Sequence, residues 1–390
     1  MNNKFENNVL TIYLEGSIDS NNAEEVGNDI DQTRSEHPDG DLVLDLENLR
    51  YISSAGLRQV LRLKKKEKNI KLINVSSDVY EIFDMTGFTE MMDIEKGYRK
   101  MSVDGCEKIG EGSNGIVYRL NPDTIIKVYK NSDALDDIKR ERELAKTALV
   151  LGINTAIPFD IVKVGDKIGS VFELLSAKSI TKLIKEDPDN KDKYIKIFAD
   201  LLKEIHATPV KEGLLPDAKE RAIDWVEFLK DTLPEESYVK LHKMLEDVPF
   251  DLHMLHGDYH ANNVHYANGE PILIDMDTLS TGNPVFEFAN IFLAYDGYGE
   301  LDHSITEKFM GLDWDTCLYV CNKTFEFYFS GKSKEEIELN KHKSMVVGYT
   351  RALRRTIKRL SDQKDLIEHY TKRLIEEINS VDNLTIEHQD

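Results

Sequence analysis

Cysteine, long apolar runs and positive charge are all scarce in this chain of 390 residues. The cysteines are Cys106, Cys317 and Cys321, too few for the disulfide framework of a small secreted domain. No apolar run reaches the roughly 18 residues of a membrane span, and no apolar signal region follows Met1, so the chain is expected in the cytoplasm, without a membrane partner. Lys and Arg number 50 against 71 Asp and Glu, a formal net charge of −21. The excess is not confined to one tail, since residues 1–100 alone hold 19 acidic and 13 basic side chains. Acidity spread in this way argues against nucleic acid as a partner. There is no internal repeat and no low-complexity segment. A hydrophobic fraction of 41% suffices for packed cores, and the length suits two or three domains.

What is present is concentrated between His256 and Asp277. His256-Gly257-Asp258-Tyr259-His260-Ala261-Asn262-Asn263 is followed by Ile274-Asp275-Met276-Asp277. A carboxylate and an amide five residues apart suit a short catalytic loop. Asp258 can orient a substrate hydroxyl and accept its proton, while Asn263 and Asp275 can hold Mg²⁺ against nucleotide phosphates. Asp275 ends the apolar run Pro271–Ile274, which reads as a strand and would hold the carboxylate rigidly. Ordinary turns use the same residue types, so the upstream pattern has to decide.

Upstream, Ile109-Gly110-Glu111-Gly112-Ser113-Asn114-Gly115 is a glycine-rich turn leading into an apolar run. Glycines let the backbone approach phosphate oxygens and offer them N–H donors, so Gly110, Gly112, Ser113 and Gly115 are the expected nucleotide contacts. Thr124–Tyr129 reads as a β-branched strand with Lys127 in its middle. A charge in such a strand needs a partner or a task. The candidate partner is Glu141 in the helical stretch Asp136–Leu151, with Glu143 as the alternative. A Lys–Glu pair presenting an ammonium to the α- and β-phosphates is the kinase arrangement. Ser170–Leu175 reads as a hinge strand, with Glu173 and Leu175 expected beside the adenine.

The first hundred residues follow another pattern. Asn8–Leu14, Asp41–Leu46 and Ile70–Val75 read as strands, and Asn22–His37, Ser54–Lys66 and Val79–Met85 as helices. This alternation predicts an α/β sheet covered by helices. Ser53 or Ser54 falls where a helix begins, as an N-cap, and the same helix end would stabilise a phosphate.

Residues 105–390 resemble the aminoglycoside phosphotransferase and choline kinase family, a branch of the protein-kinase-like fold. The resemblance rests on His256-Gly257-Asp258 with Asn263, on Ile274-Asp275, and on Gly282-Asn283-Pro284 followed by Glu287-Phe288-Ala289. That family usually shows Gly-Asp-Pro and Asp-Leu-Ala in the last segment, so Asn283 and Glu287 depart from it, at positions expected to lie away from the chemistry. The resemblance implies that Asp258 is the catalytic base, that Asn263 and Asp275 bind Mg²⁺, and that Lys127 contacts the ATP phosphates. It also implies that His256 supports the loop and is not a proton shuttle. Residues 1–98 resemble the STAS domain of bacterial anti-sigma factor antagonists, whose loop reads Asp-Ser-Ser/Thr-Gly-Leu. Aligning Gly56-Leu57 puts Ser54 at the phosphoacceptor position, with Ser53 and Ala55 replacing the flanking Asp and hydroxyl residue. This resemblance implies an anti-sigma factor or similar protein as partner.

The expected architecture is an α/β STAS domain (1–98), a linker (99–104) and an α+β two-lobed kinase-like domain (105–390). Its small lobe of mixed β/α structure spans 105–175, and its mainly helical large lobe spans 176–390. The expected function is ATP- and Mg²⁺-dependent transfer of the γ-phosphoryl group to a hydroxyl of an aminoglycoside-, choline- or sugar-like small molecule, regulated by the STAS module. The alternatives are a signalling protein whose kinase-like half phosphorylates a protein, Ser54 included, and a nucleotide-binding scaffold. Acidity of the large lobe favours a cationic acceptor. Trp225, Trp314, Tyr295 and Tyr298 are candidates for an amine cage, although scattered aromatics read first as core, and Asp296, Glu300 and Asp302 are candidates for binding amino groups. Arg351, Arg354, Arg355, Lys358 and Arg359 have helical spacing and read as a solvated face. Cys317 and Cys321 read as core in a helix over 315–329.

Overall fold

The computed structural model describes residues 1–67, 69–112, 114–131 and 134–389. Ser113, expected in the nucleotide loop, lies outside the described residues. Two compact units form. One comprises Met1–Tyr118, Lys127–Ser132 and Asp160–Val171, and the other Arg119–Ile126, Asp133–Phe159 and Phe172–Asp390.

The chain begins with β1 (Asn3–Glu6), β2 (Val9–Ile18), α1 (Ala23–Ser35), β3 (Asp41–Ile52), α2 (Ser54–Lys66), β4 (Ile70–Val75), α3 (Ser77–Met85), α4 (Phe88–Met91) and β5 (Asp93–Lys96). These strands form one sheet in the order β1-β2-β3-β4-β5. β2 through β5 run parallel, and β1 is antiparallel to β2. Parallel strands need crossover helices, which is why the apolar positions alternate between strand and helix patterns. Leu10, Ile12, Leu42, Leu44 and Leu72 are fully buried under Leu57, Val60 and Leu63 of α2 and Val79 and Phe83 of α3. Each such side chain contributes about 1.5–3 kcal/mol relative to exposure. Gly56 lets α2 come close to the sheet, because a Cβ there would stand 2.6 Å from Ile52 Cγ1 and 2.8 Å from Ile18 Cγ2. Two edge strands went unread in the sequence. β1 is exposed along its whole length, and β5 has only four residues, so neither carries a buried alternation to read.

Next come β6 (Arg99–Lys100), β7 (Glu107–Glu111), β8 (Gly115–Asn121), β9 (Thr124–Tyr129), α5 (Leu135–Val150), β10 (Asp160–Val164) and β11 (Lys167–Glu173). The strand order is β6-β10-β11-β9-β8-β7. β12 (Lys178–Ser179), α6 (Ile180–Glu186), α7 (Lys191–Ala207), α8 (Ala218–Phe228), α9 (Glu235–Glu246), β13 (Met254–Leu255), β14 (Val264–Ala267), β15 (Glu270–Leu273) and β16 (Ser280–Thr281) follow. The chain then runs through α10 (Val285–Phe292), α11 (His303–Met310), α12 (Trp314–Tyr328), α13 (Lys334–Arg359) and α14 (Lys364–Ser380). A mixed sheet followed by a helical region is the kinase-like fold.

α10 sits at the centre of the helical region, and all eight of its residues are buried. A helix apolar on every side belongs in a core. Around it pack Phe325, Tyr328 and Phe329 with α7 and α13. Cys317 and Cys321 of α12 belong to the same core, and burial raises both thiols, Cys317 to about 12. Among the described residues, no helix is long and apolar enough to cross a membrane.

Candidate active site

The loop between β13 and β14 carries His256–Asn263, and its backbone is fixed from several sides. Two polar residues in the otherwise apolar α10, Glu287 and Asn290, need partners because burial without them is costly. They find them in this loop. Glu287 is fully buried and accepts hydrogen bonds from the backbone N–H groups of His256 at 2.5 Å, Gly257 at 3.0 Å and Tyr259 at 3.4 Å. Burial raises its carboxyl, while His256 and these three N–H donors oppose the shift. The Asn290 amide donates to the Gly257 carbonyl at 2.8 Å. The Tyr295 hydroxyl accepts from Ala261 N–H at 2.9 Å, and Thr278 Oγ1 donates to the His256 carbonyl at 2.8 Å. Gly257 has φ +84°, and a Cβ there would stand 2.4 Å from the Thr278 carbonyl oxygen, so both backbone and space require glycine.

His256 links the two halves of the motif. Its Nε2 lies 3.1 Å from the Ile274 carbonyl, and its Nδ1 accepts from Asp258 N–H at 3.3 Å. A ring held at both nitrogens is fixed in orientation, which is a supporting role.

Asp258, Asn263 and Asp275 are held together by a hairpin. β14 and β15 pair antiparallel with Val264 opposite Leu273, so Asn263 and Asp275 emerge at the same end. Ile274 N–H donates to the Asn263 carbonyl at 3.0 Å. The Asn263 amide donates to the Asp258 carbonyl at 3.0 Å, which leaves its Oδ1 as a possible cation ligand. Asp275 adopts φ 64° and ψ 64°, a left-handed conformation that is uncommon outside glycine and recurs at functional sites. An amide oxygen and a carboxylate are hard donors that suit Mg²⁺. The Asp258 side chain is 42% exposed and points a carboxylate oxygen to 3.7 Å from His260 Nε2. Burial pushes this carboxyl up, but His260 and the charge of Arg351 outweigh it and lower it to about 2. Asp258 is therefore an ionised, accessible hydrogen-bond acceptor at neutral pH.

The remaining expected residues are placed by their own elements. Gly110 and Gly112 flank Glu111 at the end of β7, and Gly112 N–H closes the turn on the Gly115 carbonyl at 2.9 Å. A Cβ on Gly115 would meet the Val128 carbonyl oxygen at 2.7 Å, so this glycine serves strand packing. Lys127 is half-buried in mid-β9, with its ammonium 5.2 Å from the Tyr129 ring centre, and Glu141 is buried in α5. Glu173 ends β11 and is exposed, while Leu175 is half-buried beyond the strand. Ser53 is the N-cap of α2, accepting from Ala55 and Gly56 N–H at 3.2 and 3.4 Å. Ser54 is the first residue of that helix and is exposed.

The structure corrects several of these expectations. Glu287 does not lie away from the chemistry, because it binds the peptide groups on both sides of Asp258. The signal for it was a Glu and an Asn three residues apart in the apolar run Val285–Phe292. The aromatics keep their first reading as packed side chains, and no amine cage forms. Tyr295 is fully buried, Trp225 and Tyr298 lie under the guanidinium groups of Arg351 and Arg355, and Trp314 stacks on His303 at 4.2 Å. Of the acidic candidates, Glu300 and Asp302 are not free for amines. Glu300 is bound to Tyr349, His369 and Arg373, and Asp302 caps α11. Finally, Arg351 and Arg354 are half-buried, so their helix face is not simply solvated.

The family model described as the phosphotransferase enzyme family matches residues 105–309, over half of the chain, and the STAS domain model matches residues 1–101. A relative bearing the name of an anti-sigma factor antagonist, BtrV of Bordetella bronchiseptica, is 32% identical over 90 residues, covering 22% of this chain and 77% of the relative. The ADP-bound aminoglycoside phosphotransferase APH(2'')-Ib is a similar solved structure, with 17% identity, a TM-score of 0.49, and coverage of 70% of this chain and 93% of that one. A thermostable mutant of APH(4)-Ia with ADP and hygromycin B shows 15% identity and a TM-score of 0.48, over 70% and 93% of the two chains. The chain belongs to the phosphotransferase enzyme family and carries a STAS domain ahead of its kinase-like region.

Proposed function

We propose that the protein transfers the γ-phosphoryl group of ATP to a hydroxyl of a small molecule. The observation that carries this reading is the fixed group of Asp258, Asn263 and Asp275, joined through the β14–β15 hairpin and the His256 bridge. Asp258 accepts a hydrogen bond from the acceptor hydroxyl and aims its oxygen at the γ-phosphorus. As the new P–O bond forms and the bond to the departing ADP breaks, the hydroxyl proton passes to the Asp258 carboxylate. A carboxyl held near 2 is a weak base, so its main contribution is orientation, with proton transfer late in a loose transition state. Bound Mg²⁺ would supply charge neutralisation on the β- and γ-phosphates, held by Asn263 Oδ1 and the Asp275 carboxylate. Lys127 is assigned to the α- and β-phosphates. The loop of Gly110, Gly112 and Gly115 covers the phosphates, and Glu173 to Leu175 meet the adenine.

In the STAS region we assign Ser54 as the phosphoacceptor and the region as the contact for a protein partner. Its exposed position at the first residue of α2 supports this assignment.

Asp258→Asn keeps the shape of the side chain and removes the charge. It is expected to lower kcat by about 10²–10⁴-fold while ATP still binds, measured by ADP release and by calorimetry. Full activity in this variant would falsify the assignment.

A further inference from the structure

The chain as a whole is strongly acidic, yet a group of arginines lies beside the loop of Asp258. α13 presents Arg351, Arg354, Arg355 and Lys358 at helical spacing, and α8, which packs against it, presents Arg221. Among the described residues, no carboxylate lies within the 4.0 Å of an ion pair from Arg221, Arg351, Arg354 or Arg355; Asp258 and Glu287 stand farther off. Arg351 bonds the Asn290 side chain, whose amide holds the Gly257 carbonyl, so its guanidinium is two hydrogen bonds from the peptide group of Asp258. Arg221 bonds Ser280 Oγ at 3.3 Å, and Ser280 pairs with Leu255, the residue just before His256. The Nε atoms of Arg221 and Arg354 are buried and have no hydrogen-bond partner. The guanidinium groups of Arg351 and Arg354 lie 5.8 Å from the Trp225 and Phe228 ring centres, which hold them in place without neutralising them.

Half-buried guanidinium groups kept close together need an anion. Burial and the nearby Arg351 also lower the Arg221 guanidinium from its usual range, outweighing Glu287 and Asp217, which act the other way. We propose that Arg221, Arg351 and Arg354 form an anion-binding subsite beside Asp258, so that the acceptor is a hydroxyl compound carrying a phosphate or carboxylate group. This inference rests on Asp258 as the catalytic base. It replaces the cationic acceptor expected from overall charge, because local pairing and not net charge sets what binds within a few ångströms. The planar fork of arginine suits both oxyanions, gripping two oxygens at once.

The test uses the full chain loaded with Mg²⁺ and the non-transferable analogue AMP-PNP, so that the γ-phosphate position is filled. Inorganic phosphate, acetate and methylammonium are titrated separately by calorimetry. At least one anion is expected to bind more tightly than methylammonium, and the tighter anion identifies the acceptor as a phosphate ester or a carboxylate. Arg351→Gln and, as a second variant, Arg354→Gln are each expected to weaken that anion at least about tenfold, with AMP-PNP affinity retained as the check on folding. Tighter binding of methylammonium, no binding of either anion, or equal anion affinity in wild type and both variants overturns the subsite. If AMP-PNP fails to bind the wild type, the phosphotransfer reading falls separately. The anion titrations on the nucleotide-free protein then still decide the subsite.

Discussion

The two short segments to which we assign phosphate chemistry are built in opposite ways. The start of α2 is capped by its own neighbour, Ser53 Oγ accepting from the N–H groups of Ala55 and Gly56, with one distant backbone bond from Ser53 N–H to the Ile18 carbonyl. A cap of this kind contributes about 1 kcal/mol and leaves Ser54 open to solvent. The loop His256–Asn263 is held from a distance. Glu287, Asn290, Tyr295 and Thr278 each reach its backbone from 22 or more residues away. A group that positions a reacting atom has to be over-determined, because small misplacements of the reacting geometry cost large factors in rate. A group that is itself modified has to be reachable.

Glu287→Ala should widen this contrast most. It leaves three buried N–H groups unpaired beside Asp258 and removes a buried charge. The expected loss is about 3–5 kcal/mol of stability. Where the variant still folds, kcat is expected to fall about 10²-fold because Asp258 loses its placement. Urea melts and steady-state kinetics measure both. A variant with near-wild-type stability and rate would mean that the loop holds its own shape, as the start of α2 does.

What could be read from the sequence follows the same division. The strand Thr124–Tyr129 and the helix that became α5 were visible, and Asp258, Asn263 and Asp275 could be put forward as a set, because their signals are local in sequence. Ser53 and Ser54 were visible for the same reason, and the structure assigns the cap to Ser53. The role of Glu287 was misread because its partners lie some 30 residues away and no periodicity points to them. The basic stripe on α13 is solvated at Arg355, Lys358 and Arg359 but half-buried at Arg351 and Arg354, because helical spacing identifies a face without saying what packs on it. The edge strands β1 and β5 lacked buried alternation. Each misreading concerns a tertiary contact made by a polar or exposed residue, where apolar patterning is silent.

The catalytic loop has a second anchor at the foot of β13. Asp251 lies 2.7 Å from His253 Nδ1 and 2.6 Å from His388 Nε2, tying the segment after α14 to the strand that leads into His256. Burial pushes the Asp251 carboxyl up, but hydrogen bonds from His388 and His253 outweigh it and hold it below the ordinary carboxylate range. A carboxyl lowered by folding stabilises the protein above its unfolded pKa, and the contribution disappears as pH falls through the folded value. Asp251→Asn is expected to cost about 1.5–3 kcal/mol near pH 6 and to lose less stability than the wild type on acidification below about pH 4. Thermal melts between pH 7 and pH 3 test this. Parallel curves for the two proteins would show that the anchor is not ionic.

The smallest expected effect lies at the other segment. The first turn of α2 contains no acidic residue, whereas its last turn holds Lys64, Lys65 and Lys66. A negative charge at Ser54 would face the positive end of the helix dipole from an exposed position. Ser54→Glu should therefore stabilise the STAS region by about 0.3–1 kcal/mol at low salt, less as salt is added, and leave ATP affinity and kcat unchanged. A phosphate on Ser54 acts in the same direction with more charge and three acceptor oxygens, so modification need not unfold α2 to be felt by a partner. Chemical melts of the full chain at two salt concentrations would measure the shift. A destabilisation of more than about 1 kcal/mol would show that the site rejects negative charge, and the physical basis for Ser54 as a phosphoacceptor would go with it.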